Sequence, residues 1–198
     1  WLSSWLLDLK ATVAGFSTNV PTKPSHFEVL RLTDRIEHFE GDVRNKGSLQ
    51  KAIDKFCPEI VFHFAAQSLV RKSYEDPALT FETNSIGTLN LLECLRNQPS
   101  IKAAVLITSD KCYENVEWLW GYRENDRLGG KDPYSASKAC AELISRVYME
   151  SFFKKNGPNI ATARAGNVIG GGDWASDRIV PDCIRAWSEK KPIITRNP

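Results

Sequence analysis

The amino-acid sequence predicts an α/β fold in which a doubly wound parallel β-sheet is covered by helices. Three observations lead to this prediction. Short apolar runs rich in β-branched residues alternate with longer segments of helical period along the chain. Prolines separate several of these segments. Polar, ionisable residues directly follow apolar runs, as expected where parallel strands end at a binding edge.

The predicted elements follow from local patterns. The strands are short apolar segments at 12–16, 36–39, 59–64, 103–108 and 160–165. The helices carry apolar residues three or four positions apart, at 1–9, 47–56, 77–96, 135–153 and 179–189. Pro77 suits a helix N-terminus because its missing N–H has no partner to lose there. Pro58 ends the preceding helix before the next strand.

The composition indicates an ordinary globular protein. Hydrophobic residues make up 42% and charged residues 25% of the chain, which excludes collagen-like, low-complexity and disordered classes. The formal net charge is +2 and the basic residues are scattered, so nucleic acid is not an expected partner. The apolar runs are far shorter than the ~20 residues that a membrane helix needs. We therefore expect a soluble protein that does not associate with membranes.

The number and spacing of the cysteines indicate the redox environment of the protein. The five cysteines include no C-x-x-C pair and no spacing typical of a metal site, so no bound metal is predicted. An odd number of widely separated thiols fits a reducing environment. A cytoplasmic location is expected.

The first predicted helix lies at the start of the sequence. A doubly wound dinucleotide-binding domain begins instead with a strand and a Gly-rich turn, which holds a pyrophosphate on the following helix N-terminus. We therefore expect an interior fragment whose sheet has a gap in the middle, between the positions of the second and fourth strands. A Gly-rich turn at 170–172 marks a change in the local amino-acid composition. We place one domain at 1–165 and the start of a smaller substrate region at 166–198.

Tyr134 and Lys138 are four residues apart, so a helix places their phenol and ammonium groups on one face. By itself this spacing is weak evidence, because it also suits an exposed helix start after the Asp-Pro at 132–133. A nearby ammonium would lower the pKa of the phenol. Tyrosinate could then take a proton from a sugar hydroxyl near neutral pH.

A hydroxyl, a carboxylate and an ammonium follow the buried strand at 103–108. These groups belong to Ser109, Asp110 and Lys111, at a position where parallel sheets bind ligands. The last two residues also suit a solvated turn. About 25 residues separate this cluster from Tyr134.

Two further strand ends carry informative residues. His63 lies in the strand at 59–64, where we interpret it as a packed core side chain, and the small residues Ala65 and Ala66 would let a cofactor approach the backbone. A Gly-Asp-Val-Arg turn containing Asp42 follows the strand at 36–39. Such a turn is also an ordinary cap for the next segment.

Together these segments resemble the extended short-chain dehydrogenase/reductases, in which a Ser or Thr assists a Tyr-x-x-x-Lys pair. Within that superfamily the chain is similar over essentially its whole length to CDP-glucose 4,6-dehydratases. The segments that carry this resemblance are AQSLVR at 66–71, TSDKCY at 108–113, WLWGYREND at 118–126 and RAGNVIGGGDW at 164–174. Related dTDP-glucose dehydratases carry Thr-Asp-Glu where this chain has Ser109-Asp110-Lys111.

The resemblance implies an NAD that is regenerated at each turnover, CDP-glucose as substrate, and a homo-oligomer. The implied catalytic residues are Ser109, Asp110, Lys111, Tyr134 and Lys138. The implied cofactor-binding residues are Asp42, Val43, Phe64, Ala65, Ala66, Tyr134 and Lys138. The implied substrate-binding residues are Gln67, Asn167 and Arg178. Asn84 matches a helix asparagine that supports the active site. No acidic residue follows the strand at 12–16 to bind an adenosine ribose.

The implied reaction converts CDP-glucose to CDP-4-keto-6-deoxyglucose and water, for deoxysugars of surface polysaccharides such as O-antigen. Tyr134 would take the 4-hydroxyl proton, Asp110 would protonate the leaving 6-hydroxyl, and Lys111 would act near C5. An epimerase or decarboxylase of the superfamily would share Tyr134 and Lys138 without needing the elimination pair. A noncatalytic fragment that binds no cofactor is the remaining alternative.

Overall fold

The computed structural model describes residues 1–194 and confirms the predicted α/β fold with a parallel sheet. All the predicted strands are present and differ from the prediction only at their ends. They are β1 (Ala14–Ser17), β2 (Glu37–Glu40), β3 (Ile60–His63), β4 (Ala103–Ser109) and β5 (Asn159–Ala165).

The predicted helices are also present, together with two short ones that the sequence pattern did not predict. The helices are α1 (Leu2–Asp8), α2 (His26–Val29), α3 (Lys46–Phe56), α4 (Val70–Glu75), α5 (Pro77–Phe81), α6 (Gly87–Arg96), α7 (Pro133–Tyr148) and α8 (Ile179–Ser188). The π-helical turn Glu82–Ile86 divides the predicted helix 77–96 into α5 and α6. A second π-helical turn, Met149–Phe153, follows α7 directly.

Local side-chain caps fix where the helices around the site begin. Pro77 occupies the first turn of α5, and the carboxylate of Asp76 accepts a hydrogen bond from Leu79 N at 2.9 Å. Asp132 and the proline after it repeat this arrangement at α7, where Asp132 Oδ1 accepts from Ser135 N at 3.0 Å. This cap places Tyr134 in the first turn of α7.

The strands form two hydrogen-bonded sheets within residues 1–194, β1-β2 and β3-β4-β5. In the larger sheet all neighbours are parallel, with His63 opposite Leu106 and Ser109 opposite Ala165. The carboxyl ends of β3, β4 and β5 therefore lie along one edge.

The hydrophobic core lies between the larger sheet and helices α3 and α6. Buried residues alternate along β4, where Ala104 and Leu106 face the core. The core cluster consists of Leu49, Ile53, Leu91, Leu92, Cys94, Leu95, Ile101, Ala104, Leu106 and Phe153. Each large apolar side chain buried here contributes about 1.5–3 kcal/mol to folding. The core thus fixes β4, the strand that ends at Ser109.

The chain forms two compact units. The first contains residues 1–15, 19–38 and the described residues from Asn167 onward, and the second contains residues 16–18 and 39–166. The β3-β4-β5 sheet and helices α3 to α7 belong to the second unit. Within residues 1–194, no helix has both the length and the apolar character needed to cross a lipid bilayer.

Candidate active site

Three of the predicted catalytic residues lie at the carboxyl end of β4, on the edge where the parallel strands end. Ser109 is its last residue and is buried, whereas Asp110 and Lys111 are exposed in the following 3₁₀ turn. The Ser109 hydroxyl donates to Asp110 Oδ1 at 3.0 Å and accepts from Lys111 N at 3.2 Å. These bonds hold the hydroxyl and the carboxylate side by side.

The end of β5 approaches the same cluster. Gly166 directly follows β5, and a β-carbon at this position would lie 3.7 Å from Asp110 Oδ2. The Asp110 carboxylate therefore lies close to the backbone that continues from β5. Strands β4 and β5 together form one wall of the candidate site.

The other two predicted catalytic residues lie on helix α7. Tyr134 and Lys138 are 8% and 7% exposed, and their four-residue spacing puts them on one face of the helix. The Lys138 ammonium donates to Ile107 O at 3.2 Å, which brings this face of α7 against β4. Burial lowers the pKa of Lys138 from 10.5 to about 8. The predicted tyrosine–lysine pair thus lies beside the strand that ends at Ser109.

Asn84 joins the loop after β3 to α7. Its side-chain oxygen accepts from Gln67 N at 2.8 Å, and its amide group donates to Gln67 O at 3.0 Å and to Ser137 Oγ at 2.9 Å. The Ser137 hydroxyl in turn donates to Tyr134 O at 2.7 Å. Asn84 lies in the π-helical turn, a feature often found at functional sites. It acts as a buried bridge between the strand edge and the first turn of α7.

The Gln67 side chain forms hydrogen bonds within and beside the loop that follows β3. Its Oε1 accepts from Leu69 N at 2.7 Å, and its Nε2 donates to Leu69 O at 3.1 Å and to Thr80 Oγ1 at 3.0 Å. These contacts shape the segment between β3 and α4. The predicted contact between Gln67 and substrate stays a prediction.

His63 is the last residue of β3 and lies inside the protein. Burial, together with the charge of Lys138, lowers its pKa to about 4, so the imidazole is neutral near pH 7. Its Nε2 lies 3.2 Å from Thr88 Oγ1, whose hydroxyl donates to Asn84 O at 2.7 Å. This pattern assigns the proton to Nε2, which then donates to Thr88. The structure agrees with a packed core histidine.

The predicted cofactor-binding residues lie after β2 and β3. Asp42 binds Arg44 through a 2.7 Å ion pair, and the hydrogen bond from Arg44 lowers the pKa of the Asp42 carboxyl. Val43 is buried, Phe64 is exposed, and Ala65 and Ala66 are half-buried. Asp42 Oδ1 accepts from Arg44 N at 2.9 Å in an ordinary turn, whereas Asn45 caps α3, and the role of Asp42 in cofactor binding stays a prediction.

Two of the predicted substrate residues lie in the first unit. Asn167 is exposed, and Arg178 donates to Asp173 Oδ2 at 3.0 Å. The catalytic candidates at 109–111, 134 and 138 all lie in the second unit. The roles of Asn167 and Arg178 stay predictions.

A buried ion pair at the site was not predicted from the sequence. Glu142 and Arg164 have side chains that are 5% and 14% exposed, and their charged groups meet at 2.8 Å. Burial acts to raise the pKa of Glu142, but hydrogen bonds from Arg164 and Thr108 outweigh it, so the pKa lies below its usual value. A sequence signal exists, because Glu142 continues the four-residue spacing of Tyr134 and Lys138 along α7.

The buried ammonium of Lys138 shows what the site can hold. Within residues 1–194 the hydrogen bond described for this ammonium is the one to Ile107 O. An ammonium has three N–H donors. A buried donor set of this kind fits a ligand rich in hydroxyl groups, such as the ribose of a nucleotide. No group of three or more His, Cys, Asp or Glu residues within the described part of the chain is arranged to hold a metal.

Comparison with known proteins identifies the family. The sequence model described as GDP-mannose 4,6 dehydratase matches residues 1–158. A curated CDP-glucose 4,6-dehydratase from Salmonella typhimurium is 52% identical over 100% of this chain and 56% of its own length. The chain spans about half the length of the curated relatives it matches.

Solved structures support the same assignment. The UDP-glucose 4-epimerase of Thermus thermophilus, solved with NAD, is 31% identical with a TM-score of 0.76, over 89% of this chain and 54% of that one. The dTDP-glucose 4,6-dehydratase of Bacillus anthracis shares the fold, with a TM-score of 0.77 at 23% identity over 96% of this chain and 58% of its own. This chain therefore belongs to the GDP-mannose 4,6 dehydratase family, within the extended short-chain dehydrogenase/reductases that its motifs indicate.

Proposed function

We propose that this chain carries the catalytic residues of an NAD-dependent CDP-glucose 4,6-dehydratase. The observation that carries the proposal is the meeting of Ser109-Asp110-Lys111, at the end of β4, with the Tyr134–Lys138 face of α7 through the bond to Ile107. The 52% identity to a curated CDP-glucose 4,6-dehydratase supports the choice of reaction and substrate. The product would be CDP-4-keto-6-deoxyglucose, a precursor of deoxysugars in surface polysaccharides.

The residues present fit an NAD. The buried donors of Lys138 suit ribose hydroxyls, and the small side chains of Ala65 and Ala66 leave the backbone after β3 accessible. Asp42, Val43 and Phe64 complete the proposed cofactor-binding set at the ends of β2 and β3. Bound NAD would supply a hydride acceptor for C4 and a hydride donor for C6.

Oxidation at C4 needs a base for the 4-hydroxyl proton, and Tyr134 fills this role in the proposal. The neighbouring Lys138 ammonium favours the phenolate form, because an adjacent positive charge stabilises a negative one. Ser109 presents a hydroxyl at the same strand end, where it can orient the sugar hydroxyl toward the phenolate. The three residues thus act on one oxygen of the substrate.

Elimination of water needs a base at C5 and an acid at C6. A ketone at C4 acidifies the C5 proton, so its removal can expel the C6 hydroxyl. In the proposal Asp110 donates the proton to the departing hydroxyl, and Lys111 acts near C5. Both residues are exposed directly after β4, which lets them reach a substrate bound at the strand edge. The C5 proton and the C6 hydroxyl together account for the water released. Hydride return to C6 is accompanied by a new proton at C5, which the proton taken from the 4-hydroxyl balances.

The remaining parts of the proposal concern binding and assembly. Gln67, Asn167 and Arg178 are assigned to the nucleotide sugar. Residues 1–165 are assigned to the NAD-binding domain and 166–198 to the start of the nucleotide-sugar region, whose last four residues lie outside the described part. A homo-oligomer in the cytoplasm completes the proposal.

Product analysis tests the function directly. The full-length protein, meaning the protein of the relatives' length that contains these residues, is incubated with CDP-glucose and NAD. UDP-glucose and dTDP-glucose serve as substrate controls. We expect mass spectrometry to show loss of water from CDP-glucose and a 4-keto-6-deoxy product. An isomer of unchanged mass would instead indicate an epimerase, which would share Tyr134 and Lys138 but not need Asp110-Lys111.

A further inference from the structure

Glu142 and Arg164 connect three elements behind the candidate site. The Glu142 carboxylate on α7 accepts hydrogen bonds from Thr108 Oγ1 on β4, from Thr162 Oγ1 on β5 at 3.1 Å, and from Arg164 Nη2 at 2.8 Å. Thr108 and Arg164 are paired residues in the β4–β5 register. A single carboxylate therefore fixes α7 to both strands one residue before Ser109.

Arg164 extends the connection to the loop that follows the site. Its guanidinium lies over the Tyr113 ring, 4.8 Å from the ring centre, and its Nη1 donates to Glu124 O at 2.9 Å. On the loop itself, Tyr113 stacks on Tyr122 with ring centres 5.1 Å apart. The pair thus also anchors the segment between the catalytic cluster and α7.

We propose that Glu142 and Arg164 are positioning residues, which hold Tyr134 and Lys138 in register with Ser109 and Asp110. This inference rests on the proposed function. Glu142 lies one helical turn beyond Lys138 and two beyond Tyr134 on the same face of α7. A shift of this turn against β4 would change the distance between the phenol and the Ser109 hydroxyl.

Burial of the pair argues for a role beyond stability. Taking two charges out of water is costly, and apolar residues of similar volume often stabilise a core as well. What the pair supplies is directional geometry, because hydrogen bonds from Thr108, Thr162 and Arg164 fix the carboxylate in one place. Small displacements of catalytic groups can lower rates by about 10²-fold.

Charge adds a second effect, on Lys138. The titratable groups that interact with this ammonium are Glu142 on α7, Cys112 after β4 and His63 on β3, and Tyr134 lies on the same face of α7. Burial raises the pKa of Cys112 to about 11 and lowers that of His63 to about 4, so both are neutral near pH 7. Glu142 therefore supplies negative charge that raises the pKa of Lys138 and opposes the effect of burial. Its removal should shift deprotonation of Lys138 to lower pH.

The test compares variants of the full-length protein in single-turnover reduction of NAD by CDP-glucose. We expect Glu142→Gln to lower the rate about tenfold or more, with little change in KM for CDP-glucose and with the alkaline limb of the pH profile moved to lower pH. Glu142→Asp keeps the charge and should recover part of the rate and the parental pH profile.

Glu93→Gln is the matched control. Glu93 on α6 also forms an ion pair, and it accepts a hydrogen bond at 2.7 Å from the hydroxyl of Tyr148, the last residue of α7 and the end of that helix farthest from Tyr134. We expect this variant to affect stability without moving the pH profile. An equal shift of the pH profile in Glu93→Gln and Glu142→Gln would reduce the Glu142 pair to a general structural role and overturn the inference.

A double variant keeps the test decisive if Glu142→Gln unfolds. Glu142→Gln with Arg164→Met leaves no lone buried charge, and we expect it to fold but to retain the slow rate. A double variant with the parental rate and pH profile would refute the positioning role. If the parental protein does not reduce NAD with CDP-glucose, the proposed function fails instead, so the two failures are distinguishable.

Discussion

The Lys138 ammonium reaches across from α7 and donates a hydrogen bond to Ile107 O on β4, 3.2 Å away. Ile107 lies two residues before Ser109, so this contact fixes α7 against the strand that carries the serine. In the proposed mechanism this gives one side chain two roles, since Lys138 shares a helix face with Tyr134 and also binds the sheet. The chemistry and the packing of α7 are therefore coupled at Lys138.

Tyr134→Phe should abolish the base and leave the fold intact. The ring keeps its buried packing, but the variant cannot accept the 4-hydroxyl proton, so single-turnover reduction of NAD should slow by ~10²-fold or more. Stopped-flow absorbance of reduced NAD in the full-length protein measures this rate, and circular dichroism checks the fold. Reduction at the parental rate would remove Tyr134 from the mechanism.

Lys138→Met should change how stability depends on pH. The pKa of Lys138 is lowered from 10.5 in an unfolded chain to about 8 in the folded one, so between these values the unfolded chain binds more protons. The contribution of Lys138 to stability therefore rises as the pH increases from 8 to 10.5, by about 3 kcal/mol at most. The Met variant lacks this rise.

Urea unfolding of both full-length proteins across this pH range measures the difference in unfolding free energy. We expect the parental protein to gain stability relative to Lys138→Met as pH rises. A difference that stays constant over the whole window would mean that Lys138 has no depressed pKa.

Asn84→Ala should loosen the connection between the loop after β3 and α7. The variant loses the bonds to Gln67 and Ser137 and leaves buried polar groups unpaired, at a cost of about 1–3 kcal/mol. Because Ser137 binds Tyr134 O, the rate of NAD reduction should fall as well.

Asn90→Ala is the control for this change. Asn90 also donates to main-chain oxygens, at 2.9 Å to Val43 O, but it makes no described contact with α7 within residues 1–194. Thermal unfolding and single-turnover rates at saturating NAD, which offsets any weaker NAD binding caused by a shift of Val43, should show that both variants lose stability and that Asn84→Ala alone loses rate. Equal rates in the two variants would contradict the bridging role of Asn84.

Gly87→Ala should disturb the segment that follows β2. A β-carbon at Gly87 would lie 2.7 Å from Val43 Cγ2, closer than packed atoms allow, so Val43 must move. We expect a loss of about 1–3 kcal/mol in stability and weaker NAD binding, since Val43 is a proposed cofactor residue. Gly121→Ala has open space around it and should change neither property, which titration calorimetry with NAD and thermal unfolding would check. Unchanged NAD affinity in Gly87→Ala would argue against Val43 as a cofactor residue.

The sequence predicted the strands well because each carries a short apolar run between clear stops. Helices α2 and α4 were missed since segments of 4 and 6 residues are too short to show a helical period. The π-helical turn at Glu82–Ile86 was also missed, because its periodicity differs from an α-helix by a single residue.

In the candidate site, too, local sequence patterns predicted some residues and missed others that only the fold brings together. The Tyr134–Lys138 pair and the residues after β4 were predictable, because one helix or one strand end holds each group. The Glu142–Arg164 pair depends on how β4 and β5 are registered and on which face of α7 meets them. The spacing along α7 places Glu142 on the same face as Lys138, but no local pattern identifies Arg164, which is far away in sequence, as its partner.

The proposed roles of Tyr134 in C4 oxidation and of Asp110 in water elimination are tested most directly by measuring both reactions in one experiment. Asp110→Asn and Tyr134→Phe variants of the full-length protein are mixed with CDP-glucose in D₂O, and rapid-quench mass spectrometry is recorded alongside absorbance of reduced NAD. Lys111→Met is included to follow exchange at C5. In Asp110→Asn we predict that reduced NAD accumulates while water loss slows, because C4 oxidation survives and the leaving hydroxyl lacks its acid. Loss of NAD reduction in Asp110→Asn as complete as in Tyr134→Phe, or 6-deoxy product formed at the parental rate, would contradict the proposed dehydratase mechanism.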